Sequence, residues 1–229
     1  ACGEPGHQRS KAMKKTILFD LDGTLVDSGP GITKCAQYAL DHFGIHEPET
    51  EKLAFFVGPP LMNTFMEHYG FSEEQAKQAV AKYRERYHKT GIFECELYPD
   101  VEEVLVTFKE KGYRTALASS KPESSCKKIL EHFSILSYFD EVTGAEMNGP
   151  RNEKVDVLIE ALRRMEKKPE ECVLIGDTRF DAIGAAKLHM ECIGVSYGYG
   201  TAEELLAEGA KVILPSMKEV ERYLVEHEN

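Results

Sequence analysis

The sequence predicts an α/β protein whose mainly parallel sheet is interrupted, after its first strand, by an all-helical insertion. Three observations predict it. Beyond residue 98, short apolar runs alternate with segments of helical period, which is the pattern of βαβ units. No strand pattern interrupts residues 31–91. Carboxylates, hydroxyls and a lysine stand where strands are predicted to end, and that edge of an open α/β sheet is where ligands bind.

The elements follow in order. Residues 14–19 read as a strand, buried along the run Thr16-Ile17-Leu18-Phe19 and ending in the turn Asp20-Leu21-Asp22-Gly23-Thr24. Ser28-Gly29-Pro30-Gly31 breaks the chain. Ile32, Ala36, Ala39, Leu40 and Phe43 then recur at helical spacing, and Gly44 closes that helix. Residues 48–56 lead to a second break, Gly58-Pro59-Pro60, and then to 61–69. Ser72-Glu73-Glu74-Gln75 is a capping box that opens a helix to about Thr90. Asp100 is placed to cap a helix to Lys111, closed by Gly112. Strands are expected at 114–118, 139–143, 172–175, 192–195 and 212–214. Helices are expected at 122–133, 153–167, 180–188, after Thr201, and at 217–226. The core is therefore assigned to 13–28 and 96–229, and the helical insertion to 29–95. Residues 1–12 are polar and lack the apolar stretch of a signal peptide. They read as a tag remnant or a disordered N-terminus.

Composition narrows the partners. The chain has 229 residues, 42% hydrophobic and 29% charged, which suits an ordinary globular protein. A net charge of −11 disfavours nucleic acid and anionic membrane surfaces, which reward basic patches. No run approaches the ~18 apolar residues of a membrane span. The six cysteines include no Cys-x-x-Cys pair. They are read as reduced thiols, and the expected setting is the cytoplasm.

Four elements carry chemistry at the predicted strand ends. They are Asp20 with Asp22, Ser119-Ser120-Lys121, Lys154 at a helix start, and Gly176-Asp177 followed by Asp181. Clustered carboxylates repel one another unless a cation or protons intervene. Oxygen donors without His or Cys favour Mg²⁺ over Zn²⁺. Because Mg²⁺ is commonly held by one or two carboxylates plus substrate phosphate, another carboxylate is left to act as a nucleophile. Its attack on a phosphoryl group brings two anions together, so a cation and a lysine are needed to offset the repulsion. The second Asp, two residues on, can protonate the leaving oxygen and later activate water.

These motifs resemble the haloacid dehalogenase (HAD) superfamily of phosphohydrolases over essentially the whole chain. The matching residues are Asp20-Leu21-Asp22-Gly23-Thr24-Leu25-Val26-Asp27-Ser28, Ser119, Lys154, and Gly176-Asp177 with Asp181. The resemblance implies a Rossmann-like core, a hairpin flap after the first strand, and a helical cap. It implies Asp20 as nucleophile and Asp22 as general acid/base. Mg²⁺ would be held by the Asp20 carboxylate, the Asp22 backbone carbonyl and Asp177, with Asp181 nearby. Phosphoryl oxygens would meet Gly23, Thr24, Ser119, Ser120 and Lys154. Residues 152–157, 176–185 and 194–200 look like the phosphoglycolate-phosphatase-like branch. Phe56-Val57-Gly58-Pro59-Pro60-Leu61 resembles members labelled 5′-nucleotidases. Val155, where many phosphoglycolate phosphatases have Pro after the lysine, departs from the first of these patterns.

The implied partner is a small phosphorylated metabolite, and the chain is expected as a monomer or homodimer. A phosphomutase shares all four motifs, and a phosphonate hydrolase would need a cap lysine such as Lys34 or Lys52. Gly58, Pro59 and Pro60 read either as a helix-breaking turn or as a cap loop touching the leaving group. Arg84 and Arg86 read as a solvated face or as cap contacts. Lys121-Pro122 reads as a helix start. Tyr197–Gly200 reads as the site rim or a tight connection. His42 and His46 are four apart, but Gly44 separates them and argues against a zinc pair.

Overall fold

The computed structural model describes residues 14–227, so the expected tag segment lies outside the described residues. The chain opens with β1 (Thr16–Phe19) and β2 (Val26–Asp27), then α1 (Gly29–His42), α2 (Leu61–Tyr69) and α3 (Glu73–Lys89). After β3 (Glu96–Leu97) it alternates: α4 (Val101–Glu110), β4 (Thr115–Pro122), α5 (Glu123–His132), β5 (Glu141–Ala145) and α6 (Lys154–Met165). It ends with β6 (Cys172–Gly176), α7 (Arg179–Lys187), β7 (Glu191–Val195), α8 (Ala202–Ala207), β8 (Val212–Leu214) and α9 (Met217–Glu226).

Six strands form one parallel sheet in the order β5-β4-β1-β6-β7-β8. β1 lies at its middle, with Phe19 opposite Leu117 of β4 and Ile175 of β6. The residues that leave these three strands therefore meet at one edge. Side chains alternate across the sheet. Ile17 and Phe19 join one apolar cluster, while Leu18 joins a second with Ala116, Leu174, Val157 and Leu158. Both faces are covered, as a parallel sheet requires.

The first cluster does not stop at the core. It runs through Leu21 and Leu25 to Ile32, Phe56, Phe65 and Tyr87 of the insertion. Phe65 lies 5.0 Å from the Phe56 ring and stacks on Phe71 at 5.9 Å. The insertion is thus held by shared apolar burial rather than by a covalent tether alone. Its two ends are stapled where β2 and β3 pair antiparallel, Val26 opposite Leu97 and Asp27 opposite Glu96.

Several boundaries differ from expectation. β4 continues four residues past Ala118, with a register irregularity against β5 between Ala118 and Pro122. Asp100 stands at the N-cap of α4, but its φ is 65° and its side chain makes no capping bond. Residues 50–56 form a 3₁₀ helix. The β2–β3 ribbon has two residues per strand, too few to show alternation. Among the described residues no helix is long and apolar enough to cross a membrane. The five described cysteines are free.

Candidate active site

Asp20 leaves β1 with its amide donating to Ile175 O at 2.9 Å, which fixes it beside the end of β6. Its Oδ1 accepts from the Leu21 amide at 2.8 Å and lies 3.1 Å from Lys154 Nζ. Lys154, the first residue of α6, also donates to Ala118 O at 2.6 Å and reaches Asp181 Oδ1 at 2.8 Å. A buried ammonium has three donors, and all three are satisfied. Asp181 Oδ2 accepts from the Asp177 and Thr178 amides at 3.1 Å each. Asp181 therefore ties the start of α7 to Lys154.

Asp177 accepts from the Thr24 hydroxyl at 3.1 Å and from the Tyr199 amide at 2.9 Å. The turn that follows β1 packs directly on it. Gly23 has φ 83°, and a β-carbon there would fall 2.0 Å from Asp177 Oδ2. Only glycine meets both demands.

Asp20, Asp177 and Asp181 each offer a carboxylate oxygen within 4.8 Å of the others, and all three are buried. Burial, then Asp181, push the Asp20 carboxyl well above its usual range, against the pull of Lys154. Burial and then Asp181 push Asp177 up to about 7. One lysine does not balance this cluster. An all-oxygen donor set with surplus negative charge fits a hard divalent cation such as Mg²⁺.

The Asp22 carboxylate stands outside that cluster. Its Oδ1 accepts from the Ser28 hydroxyl at 2.6 Å and from Lys121 Nζ at 2.9 Å. Lys121 also donates to the Tyr87 hydroxyl of α3 at 2.6 Å. Burial works to neutralise this lysine, but Asp22 and two tyrosines more than offset it and hold its pKa raised. The sequence places Lys121 in the Ser119-Ser120-Lys121 element, with Lys121-Pro122 as a helix start, and assigns the lysine no contact. β4 runs on through residues 119–122, with its register against β5 irregular there, and the Lys121 side chain reaches Asp22 and Tyr87 from it. The Lys121 amide donates to Ser119 Oγ at 3.1 Å.

Two residues assigned to the phosphate are otherwise engaged. Thr24 donates its hydroxyl to Asp177 and its amide to Leu21 O at 3.2 Å. The Gly23 amide donates to Val26 O at 2.8 Å. The tight turn engages these donors, and Gly23 and Thr24 frame Asp177. Tyr197 and Tyr199 brace the same turn. Tyr197 donates to Thr24 O at 2.6 Å, and the Tyr199 hydroxyl meets the Gly29 amide at 2.8 Å and Asp27.

Two cavities open between insertion and core. One, of about 140 Å³, is lined by Asp22, Ser120 and Lys121 and by Phe56, Tyr83, Arg84 and Tyr87 of the insertion. The other, of about 230 Å³, is lined by Ser120, Lys154, Phe180 and Lys187. Gly58, Pro59 and Pro60 line both. Arg84 thus faces a cavity, whereas Arg86 pairs with Glu94 at 2.6 Å. His46 pairs with Asp41 at 3.0 Å, while His42 packs edge-on against Phe43.

Comparison with known proteins points the same way. The profile of the family described as haloacid dehalogenase-like hydrolase matches residues 17–195. A 5′-nucleotidase of Pseudomonas aeruginosa is 40% identical over 191 residues, covering 83% of this chain and 86% of that protein. A protein of Mycobacterium tuberculosis named tyrosine-protein kinase PtkA is 37% identical over 187 residues, and the match covers 82% of this chain and 64% of that longer protein. The crystal structure of a predicted phosphatase from Clostridium acetobutylicum superposes with a TM-score of 0.91 at 41% identity, covering 93% of this chain and 99% of that one.

Proposed function

This chain belongs to the haloacid dehalogenase-like hydrolase family, and from that premise we propose a Mg²⁺-dependent phosphomonoesterase that works through a phosphoaspartate. One observation carries the proposal. The ends of β1 and β6 and the start of α6 bring Asp20, Asp177 and Lys154 together, with Asp22 turned into the cavity beside them.

The roles follow from the contacts. Asp20 attacks phosphorus in line and the ester P–O bond breaks. Asp22 delivers a proton to the departing alcohol oxygen. Asp22 then takes a proton from water as the water attacks the acyl phosphate, releasing inorganic phosphate and restoring Asp20. Lys154, against Asp20, offsets the charge that builds as two anions approach. Ser119 and Ser120 stand at the end of β4 where phosphoryl oxygens would lie. Asp20, the Asp22 carbonyl and Asp177 would hold Mg²⁺, which when bound withdraws charge from the phosphoryl oxygens. The insertion covers the site and excludes bulk water, and it must lift for exchange.

The substrate is a small phosphorylated metabolite. Relatives carry the names 5′-nucleotidase and phosphoglycolate phosphatase, and sugar phosphates, nucleotides and phosphoglycolate define the screen. Free thiols fit a reducing, cytoplasmic setting. Asp20→Asn tests the reading. The variant is expected to fold and to lose turnover by ~10⁴-fold or more, as expected for a lost nucleophile. EDTA is expected to stop the parent enzyme and Mg²⁺ to restore it. Residual turnover near the parent level, or turnover indifferent to EDTA, would refute the assignment.

A further inference from the structure

The Lys121 ammonium joins the Asp22 carboxylate to the helical insertion. It donates to Asp22 Oδ1 at 2.9 Å and to the Tyr87 hydroxyl at 2.6 Å, and its nitrogen lies 4.9 Å from the Tyr87 ring centre. The side chains of Lys121 and Asp22 are only 7% and 9% exposed. Ser28 adds a second donor to the same Oδ1 at 2.6 Å. Among the described residues no side chain or amide donates to Asp22 Oδ2. Two donors on one oxygen fix the carboxylate rotamer. They leave the other oxygen for the cavity that Asp22, Lys121 and Tyr87 line together.

Asp22 and Lys121 belong to the core, but Tyr87 belongs to α3 of the insertion. A lysine side chain is long and mobile, and ordering it costs entropy. Tyr87 supplies the second anchor that holds it in place. That anchor is present only while the insertion is seated on the core.

We propose that Lys121 is a positioning residue for Asp22, and that Tyr87 makes this positioning conditional on a closed cap. The proposal rests on the reading of Asp22 as the acid that protonates the leaving oxygen. When the cap lifts, Lys121 loses Tyr87 and Asp22 loses its fixed aim. Leaving-group protonation is then confined to the closed, water-excluding state. No bond is made or broken by Lys121 itself.

The test compares substrates that need the proton with substrates that do not. An alkyl phosphate has a poor leaving group and depends on Asp22, whereas p-nitrophenyl phosphate departs without a proton. The readout is the ratio of kcat/KM for the two, because kcat/KM reports events up to leaving-group departure. In Lys121→Met this alkyl-to-aryl ratio is expected to fall about 30-fold, a part of the ~10²–10⁴-fold that a general acid contributes, because Asp22 is misaimed and not removed. Lys121→Arg is expected to recover part of the loss, and Tyr87→Phe to lower the ratio about fivefold, the scale of one lost hydrogen bond. A merely structural role would slow both substrates equally, so a ratio within twofold of the parent in both Lys121→Met and Tyr87→Phe overturns the proposal. If Lys121→Met does not fold, Tyr87→Phe, which removes a single hydroxyl, decides the matter alone. Failure of the underlying reading would look different: Asp20→Asn would retain turnover, or the parent would hydrolyse neither ester.

Discussion

Gly23 shows how closely the acid cluster governs its neighbours. Its φ of 83° and the 2.0 Å clash of a β-carbon with Asp177 are two separate objections to any side chain. Gly23→Ala is expected to lower the unfolding free energy by about 2–4 kcal/mol, from left-handed strain plus displacement of a buried carboxylate. Denaturant midpoints measure the first effect, and titration calorimetry with Mg²⁺ the second. Unchanged Mg²⁺ affinity would show that Asp177 does not hold the ion. Asp20, Asp22, Lys154 and Asp177 were legible in the sequence because each sits in a motif whose spacing fixes its place. Lys121 and the Tyr197–Gly200 run were singled out, the first as part of Ser119-Ser120-Lys121 or a helix start and the second as the site rim or a tight connection, but their contacts were not legible. The Lys121 contacts reach Asp22, 99 residues away in sequence, and Tyr87, 34 residues away. The two tyrosines act from about 170 residues away on the Thr24–Gly29 segment, as their contacts with Thr24 O and the Gly29 amide show, and no local pattern carries such a contact.

Among the elements, α3 was the easiest to read and is the easiest to test. Its capping box forms as the sequence indicates: Gln75 N–H donates to Ser72 Oγ at 3.2 Å, and Ser72 N–H donates to the Gln75 side chain at 3.0 Å. Ser72→Ala is expected to cost about 1 kcal/mol, or roughly 2–4 °C in Tm for a chain of this size. Fifteen residues separate Ser72 from Tyr87, roughly 22 Å of helix. The alkyl-to-aryl ratio should therefore match the parent, and a large change would mean that α3 moves as a rigid lever. Helices with clear apolar stripes were located to within a few residues. A flap after β1 was implied only by the resemblance, and 48–56 was read only as part of a helical block; residue pattern alone shows neither the β2–β3 pairing nor the 3₁₀ form. A two-residue strand has no period, and the 3₁₀ segment is fixed by the contacts of its Phe55 and Phe56 rings with Phe65 and Tyr69 of α2.

At the scale of the whole molecule, the site is a store of like charge inside a chain that is already −11. Without metal, burial and then Asp181 hold the Asp177 carboxyl at about 7, against a usual 3.8. Between those values the folded protein keeps a proton that the unfolded chain has released. Stability of the metal-free protein from this group is therefore greatest at low pH and declines as pH rises through about 4 to 7. A Mg²⁺ ion bound at Asp177 would compete with that proton, so its affinity is expected to climb over the same window. Melting curves in EDTA, taken for the parent and for Asp177→Asn and then subtracted, isolate the effect. A difference that grows in the parent's favour with rising pH would contradict it. The apolar cluster shared by insertion and core was not legible, because a hydrophobic stripe does not name the surface it will meet. The paired β2 and β3, finally, bear on ancestry. Asp27 and Glu96 lie opposite each other, so the helical module enters and departs through one doorway. A module with adjoining ends can be traded for another, or enlarged, while the six-strand order stays as it is. Hydrolytic chemistry and substrate taste can then descend along separate lines within a single gene.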